Sequence, residues 1–274
     1  MIVRLGGLAI AVLMLAGCPV PPIKSGATVT AEKLPEKVPD LIKYADDIRA
    51  KPDRTGADME NALLALDKAT KLDPKNFEAQ WKAARVTVDL ADEYYDDKTK
   101  RAHFSGRGID YAKAAIELEP KRVEGHYYSG ENLGLSATTK VVGAKFMVPS
   151  VRDAAKKAMQ LDACYDRGGP LRLLGALYAE APPWPASIGD PDKGVDLLQQ
   201  AVKCDPTYVQ NNYLLGNALC KAEKYDEAQK QYQIVLGAQP KPDDQHFLPK
   251  WKNMARKGAE DCEKKKQAAL SGNS

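Results

Sequence analysis

The sequence predicts an all-α fold: a right-handed α-solenoid of antiparallel helix pairs, finished by a C-terminal capping helix. A recurring cadence is the first sign. Ala69, Leu72, Asp73 and Pro74 are followed by Ala115, Leu118, Glu119 and Pro120, then by Ala158, Leu161, Asp162 and Ala163. Ala201, Cys204, Asp205 and Pro206 continue it, and Val235, Ala238, Gln239 and Pro240 form a weaker fifth copy; the last residues are spaced by 46, 43, 43 and 34. Self-similarity at such periods marks stacked repeats. Each copy reads as a helix end, with a small residue at a close helix contact, an apolar residue expected to be buried three later, and a proline stop. The second sign is negative: no stretch alternates with period two, so no sheet is expected.

Residues 1–17 are expected to be a signal peptide rather than part of the fold. Arg4 supplies the positive start, Leu8 to Leu15 an apolar run, and Leu15, Ala16, Gly17 and Cys18 close it. The run is too short for a permanent membrane span. Cys at the last position resembles the bacterial lipobox, which implies acylation of Cys18 and a cell-envelope location facing the periplasm. Residues 18–39 carry five prolines and read as a lipidated, extended tether. Residues 40–270 are the repeat domain, and about 255 mature residues suffice for one large core.

Within that domain, Leu41, Tyr44, Ala45 and Ile48 fall on one face of a first helix. Lys51 to Gly56 breaks it, and a helix over 57–72 follows. Paired helices are expected over 76–95 with 98–118, 121–138 with 149–161, 168–180 with 191–203, and 207–221 with 225–237. A last helix over 245–268 would cap the array, with Phe247, Trp251, Met254 and Ala255 on its buried side. The insert from Ala181 to Asp190 holds Trp184 among prolines. It reads either as a binding loop or as a plug on the helices beneath.

An exported chain with four cysteines after Cys18 invites disulfides. In the repeat register Cys164 opens one helix and Cys204 closes its antiparallel partner, while Cys220 and Cys262 lie late in neighbouring helices. Cys164–Cys204 and Cys220–Cys262 are the favoured pairings. Cys204 also occupies the place of Leu72, Leu118 and Leu161, so a buried small hydrophobe is the alternative.

Val209–Pro242 is the clearest single unit. Leu215 and Gly216 allow two helices to approach, Ala228 is the small contact of the second helix, and Tyr232 fills the gap behind it. These residues match the tetratricopeptide pattern, from which Asn212 and Leu219 depart where large aromatics are common. Earlier units place Ala84, Gly130 and Gly175 at the equivalent of Gly216, and Ala62, Gly108 and Gly194 at that of Ala228; Val151 breaks the series. Trp81 to Arg85, Gly108 to Ala112, Gly125 to Tyr128, Asn132 to Gly134, Leu174 to Tyr178, Ala181 to Pro183 and Ile188 to Asp190 extend the likeness. Over residues 77–240 the chain resembles the tetratricopeptide proteins that include the periplasmic T component of tripartite ATP-independent (TRAP) transporters, and regulator-of-microtubule-dynamics-like proteins. The resemblance implies a lipoprotein that forms a homotrimer and contacts a solute-binding partner.

No active site assembles. His103, His126 and His246 are far apart, and neither a zinc motif, a phosphate-binding loop nor a nucleophile elbow is present. Asp190 to Asp192 reads as a helix cap, not a calcium loop. No enzyme activity and no cofactor are expected. Losing Arg4 with the signal leaves 39 Lys and Arg against 37 Asp and Glu, which gives no reason to expect nucleic acid.

What remains is a surface. The fifth residue of each first helix gives a ladder of Trp81, Tyr127, Arg172 and Tyr213 along the concave side. One turn further lie Arg85, Glu131, Ala176 and Asn217. Such side chains suit recognition of a protein or peptide. The alternative reading packs Trp81 and Tyr127 between neighbouring helices, with the 181–190 insert closing the groove. The expected function is therefore a lipid-anchored envelope scaffold binding a protein or peptide through its groove. The alternative, from the resemblance, is a TRAP-associated lipoprotein taking a small hydrophobic or anionic solute in a central pore.

Overall fold

The computed structural model describes residues 33–140, 143–241 and 246–272. The signal segment, Cys18 and the first part of the tether lie outside the described residues. Among those described there are eleven helices and no strand: α1 (Val38–Arg49), α2 (Gly56–Leu72), α3 (Phe77–Glu93), α4 (Lys98–Leu118), α5 (Val123–Thr138), α6 (Ala144–Leu161), α7 (Tyr165–Glu180), α8 (Pro191–Cys204), α9 (Val209–Lys221), α10 (Tyr225–Gly237) and α11 (Leu248–Gly272). Every helix packs on its neighbours in sequence. The odd-numbered helices also touch one another in succession from α1 to α11, whereas no even-numbered helix touches another. Odd-numbered helices thus form the inner layer of a solenoid and even-numbered helices the outer layer.

The repeated cadence is one turn built four times. α2, α4, α6 and α8 end at Leu72, Leu118, Leu161 and Cys204. The next N–H, from Asp73, Glu119, Asp162 or Asp205, bonds back to the carbonyl of Ala69, Ala115, Ala158 or Ala201 at 2.9 to 3.3 Å. Three residues on, the N–H of Asn76, Arg122, Tyr165 or Tyr208 bonds to the carbonyl of that acid at 3.1 to 3.4 Å. The carboxylates of Asp73, Asp162 and Asp205 accept from the N–H two residues later. Proline after three of the acids holds the acid extended. Asp162 takes the same conformation with Ala163 behind it, so the carboxylate sustains the turn where proline is missing.

The four alanines of this cadence are fully buried, as a close helix contact requires. Leu72 is not: it is 54% exposed. As the last helical residue it stands one turn beyond Ala69 and about 60° round the helix, and its counterparts Leu118, Leu161 and Cys204 are likewise not fully buried. One helix, α6, also begins differently from the sequence expectation. α6 starts at Ala144, five residues before Pro149, which is exposed, so water can serve the Lys145 carbonyl left without its N–H partner. In α7, Asp166, Arg167 and Gly168 all have positive φ, and the regular helix begins only after them.

Two disulfides staple the second half: Cys164 to Cys204 across the α7–α8 pair, and Cys220 to Cys262 between α9 and α11. Cys204 is therefore a bridge rather than a buried hydrophobe. Asp190 caps α8 by accepting from the Lys193 N–H at 3.0 Å. Trp184 is 85% exposed, so the 181–190 insert is not a plug.

α11 does more than cap the array. Ala255 is buried, and Trp251 and Met254 pack on the cluster formed by α9 and α10. Phe247 departs from this expectation: its ring lies 5.3 Å from the Arg54 guanidinium, in the turn between α1 and α2. His246 donates to Glu93 at 2.9 Å, and Lys250 donates to the Asp92 carbonyl at 3.0 Å. The chain's last helix thus reaches across the inner layer to the first repeats.

Gly216 of α9 faces Tyr232 of α10, and a Cβ at this position would stand 2.8 Å from the Tyr232 ring. Tyr232 is itself held by α9 through its hydroxyl, which donates to Asn217 at 2.8 Å. Gly216→Leu should therefore destabilise the protein by roughly 1–3 kcal/mol. Chemical denaturation checks this, and unchanged stability would mean that the helices cross elsewhere.

Candidate functional site

The inner helices bring charged and aromatic side chains together at the concave side. Between α1 and α3 the contact is ionic: Arg85 pairs with Asp46 at 2.8 Å, Lys82 with Asp46 at 2.6 Å, and Arg49 with Asp89 at 2.6 Å. Between α3 and α5 it is a buried polar clasp. The Asn132 amide donates to the carbonyls of Ala84 and Tyr128, and the Thr87 hydroxyl bonds to Asn132 at 3.0 Å. Trp81 stacks on Tyr128 with ring centroids 6.0 Å apart, and Arg85 lies 4.9 Å from the Trp81 ring. Trp81 thus packs between neighbouring helices.

Further along, Arg172 organises α5, α7 and α9. It is 3% exposed, contrary to the expectation that a guanidinium here would stay in an open groove. It is tolerated inside because it is not alone. Its Nη2 donates to the Tyr127 hydroxyl at 2.8 Å and the Asp166 carboxylate at 3.2 Å, and its Nη1 donates to Asn211 at 3.0 Å. The left-handed turn at 166–168 aims Asp166 at this cluster, where its carboxylate also accepts from Tyr127 at 2.9 Å. Non-glycine residues in that conformation cost about 1 kcal/mol each, and Asp166 and Arg167 both adopt it. Asn211 anchors the turn by donating to the Arg167 carbonyl at 2.9 Å.

Tyr127 is 2% exposed. Tyr213 packs beside Tyr232 and Trp251, and Asn217 is tied to the Tyr232 hydroxyl. Ala176 is half-buried on α7. The ladder is therefore continuous, but its members point into the protein rather than along an open trough.

Four of them line a partly open cavity of about 100 Å³. Arg85, Tyr127, Glu131 and Arg172 line it, together with Arg49, Arg54, Phe247 and Trp251. Beside it lies a larger cleft of about 710 Å³, walled by the ends of α3 and α7 and by α9, α10 and α11. Tyr95, Asp96, Asn253 and Lys257 stand exposed on its walls, and Tyr213 and Asn217 from the ladder lie at its base. The sequence reading missed Arg49, Asp89 and Asp166, whose partners are about 40 residues away. It also missed Arg54, which sits in a segment that reads only as a helix break. Among the described residues, no group of His, Cys, Asp and Glu is placed to hold a metal ion.

The model for Regulator of microtubule dynamics protein 1-3 matches residues 41–165, and a Tetratricopeptide repeat model matches residues 197–230. No curated protein matches the chain. Among solved structures, TTC0263, a thermophilic TPR protein of Thermus thermophilus, is similar at 17% identity and a TM-score of 0.60, over 80% of this chain and 98% of that one. YrrB, described as a TPR protein with an unusual peptide-binding site, is 18% identical over 76% of this chain and 97% of its own, with a TM-score of 0.43. MamA from Desulfovibrio magneticus is 17% identical over 72% and 94%, with a TM-score of 0.46. At these identities the likeness concerns the fold alone, and it rests on the Thermus protein.

Burial raises the pKa of two acids of the cavity, Asp92 and Glu131, and Glu131 shows the effect most plainly. Burial pushes its carboxyl up to about 7, from an ordinary 4.5, against the pull of Arg172; Asp92 and Asp166 push the same way as burial. The folded protein holds this proton more tightly than the unfolded chain, so stability falls as pH rises from about 4.5 to 7 and the full penalty stands above that window. Glu131→Gln should flatten this slope, leaving what Asp92 contributes, and be more stable than wild type at pH 8 by roughly 1–3 kcal/mol. Denaturation at pH 5 and pH 8 checks the sign. The repeat-model match and the shared architecture together make this chain a tetratricopeptide-type α-solenoid protein.

Proposed function

We propose that this protein is a lipid-anchored scaffold of the bacterial cell envelope that binds a protein or peptide partner at its concave side. The observation that carries the reading is the cleft of about 710 Å³, where exposed Tyr95 and Lys257 stand beside ladder residues Tyr213 and Asn217. Aromatic and long cationic side chains on a rigid helical frame supply contact area at low ordering cost. The sequence supports the location: a lipobox-like Leu15 to Cys18 would place the acyl anchor, and the residues up to about 39 would give the domain reach from the membrane. Two disulfides agree with an oxidising compartment.

A second reading is favoured by the smaller inner cavity, which gathers four of the ladder residues out of solvent. It makes the protein a TRAP-associated, T-component-like lipoprotein handling a small periplasmic solute, with trimeric assembly implied by the resemblance. Mass spectrometry of material released from the purified protein separates this reading from the first.

Two outcomes test the proposal. Cys18→Ala should leave the fold intact and release the protein from membranes, read by fractionation; retention at the membrane would argue against lipid anchoring. Tyr95→Ala with Lys257→Glu, at exposed positions, should abolish cross-linking to an envelope protein without changing thermal stability. If the same proteins are captured by wild type and variant, the cleft is not the site.

A further inference from the structure

We infer that the inner cavity is an oxyanion site in which Arg54, with Arg49 beside it, receives a carboxylate or phosphate group of a small solute or of a peptide terminus. The inference rests on the reading that the concave interior binds a ligand, and it names the chemistry of that ligand.

Arg54 is the anomaly of this wall. It is 8% exposed, yet among the described residues no carboxylate pairs with it. Its single hydrogen bond among them, from Nη1 to the Lys51 carbonyl, is 3.4 Å long, and its Nε has no partner. The other three arginines of the cavity each have an acid: Asp89 for Arg49, Asp46 for Arg85 and Asp166 for Arg172. A guanidinium does not deprotonate to escape this position, and an uncompensated buried charge is costly. Burial pushes the Arg54 pKa down and Arg49 adds to this, against the opposing pull of Asp89 and Glu93. The Phe247 ring beside Arg54 offers no acceptor for the spare N–H groups, whereas a bound oxyanion would.

The remaining features fit the same occupant. The Nε atoms of Arg85 and Arg172 are also buried without partners, so the wall carries surplus donors. Phe247 and Trp251 keep part of the lining apolar, which strengthens charge pairing within. A space of about 100 Å³ is too small for a folded segment but ample for a few heavy atoms, since one water needs about 10–15 Å³ measured this way. A guanidinium fork matches the two oxygens of a carboxylate or phosphate, and a neutral solute would leave the charge unanswered. Four acids also line the cavity: Asp89 and Asp166 are taken up by Arg49 and Arg172, and burial pushes the carboxyls of Asp92 and Glu131 up, toward their neutral forms.

The test uses the mature protein at constant ionic strength, titrated with inorganic phosphate, with succinate, and with succinamide as the neutral counterpart of succinate. Two octapeptide pools, one with free and one with amidated C-termini, distinguish a peptide terminus from a free solute. Phosphate, succinate or the free-carboxylate pool should raise Tm saturably, while succinamide and the amidated pool should not. Arg54→Gln should weaken that binding at least tenfold. Should Arg54→Gln fold poorly, the Arg54 Nε–H resonance of wild type must shift on adding the anion that binds. No saturable response to any of the three oxyanion probes, or binding that survives Arg54→Gln within twofold, overturns the site. Equal binding of free and amidated pools, unaffected by Arg54→Gln, removes the anion assignment but leaves the concave interior as a partner site.

Discussion

The structure depends on a contact made between its two ends. A stack of helix pairs ordinarily leaves its concave side open, because each unit touches only its neighbours. Here His246, Phe247 and Lys250, at the start of the last helix, meet Glu93, Arg54 and Asp92 of the first repeats. That contact turns a trough into an interior. It explains why Arg172 and Tyr127, at positions that usually face a ligand groove, are satisfied by protein groups instead. It also explains why the one arginine of the cavity left without an acid, Arg54, lies against the closing residue Phe247.

The local framework makes this closure achievable. Four copies of one turn, each with the same backbone bonds, fix the angle between successive pairs. Buried alanines and the Gly216–Tyr232 contact set how close the helices come. The disulfides Cys164–Cys204 and Cys220–Cys262 hold the half of the chain that must bend back toward α3. A small error in turn geometry would accumulate along the array, so the polar clasps at Asn132 and Asn211, each joining successive inner helices, complement the turns.

Features with a short period were legible in the amino-acid sequence alone. Alanines four residues before the cadence acid, the small residues at 216 and 228, and the proline stops gave the helix boundaries within a few residues. The cysteine register pointed to the bridges for the same reason, since antiparallel helices put residue positions at predictable ends. What escaped were relations between residues about 40 or about 150 apart. Periodicity says that Arg172 is on an inner face, but it does not say that Asp166, on a left-handed turn, will neutralise it. Arg54 gave no signal because its importance lies in the absence of a partner, and Phe247 looked like part of a capping face until its ring met Arg54. Leu72 failed for a simpler reason: apolar character placed it inside, while its place at the end of α2, about 60° round from Ala69, left it half in solvent.

The closure is best tested by proximity. Glu93→Cys and His246→Cys together, treated with a short thiol-to-thiol cross-linker under conditions that leave the native disulfides intact, should give an intramolecular product identifiable by mass spectrometry. A control pairing Glu93→Cys with Leu270→Cys, near the far end of α11, should react far more slowly. Rapid, selective linkage of 93 to 246 is the predicted result. Equal rates for the two pairs, or no linkage of 93 to 246, would mean that the concave side is open in solution and that the interior cavity does not exist.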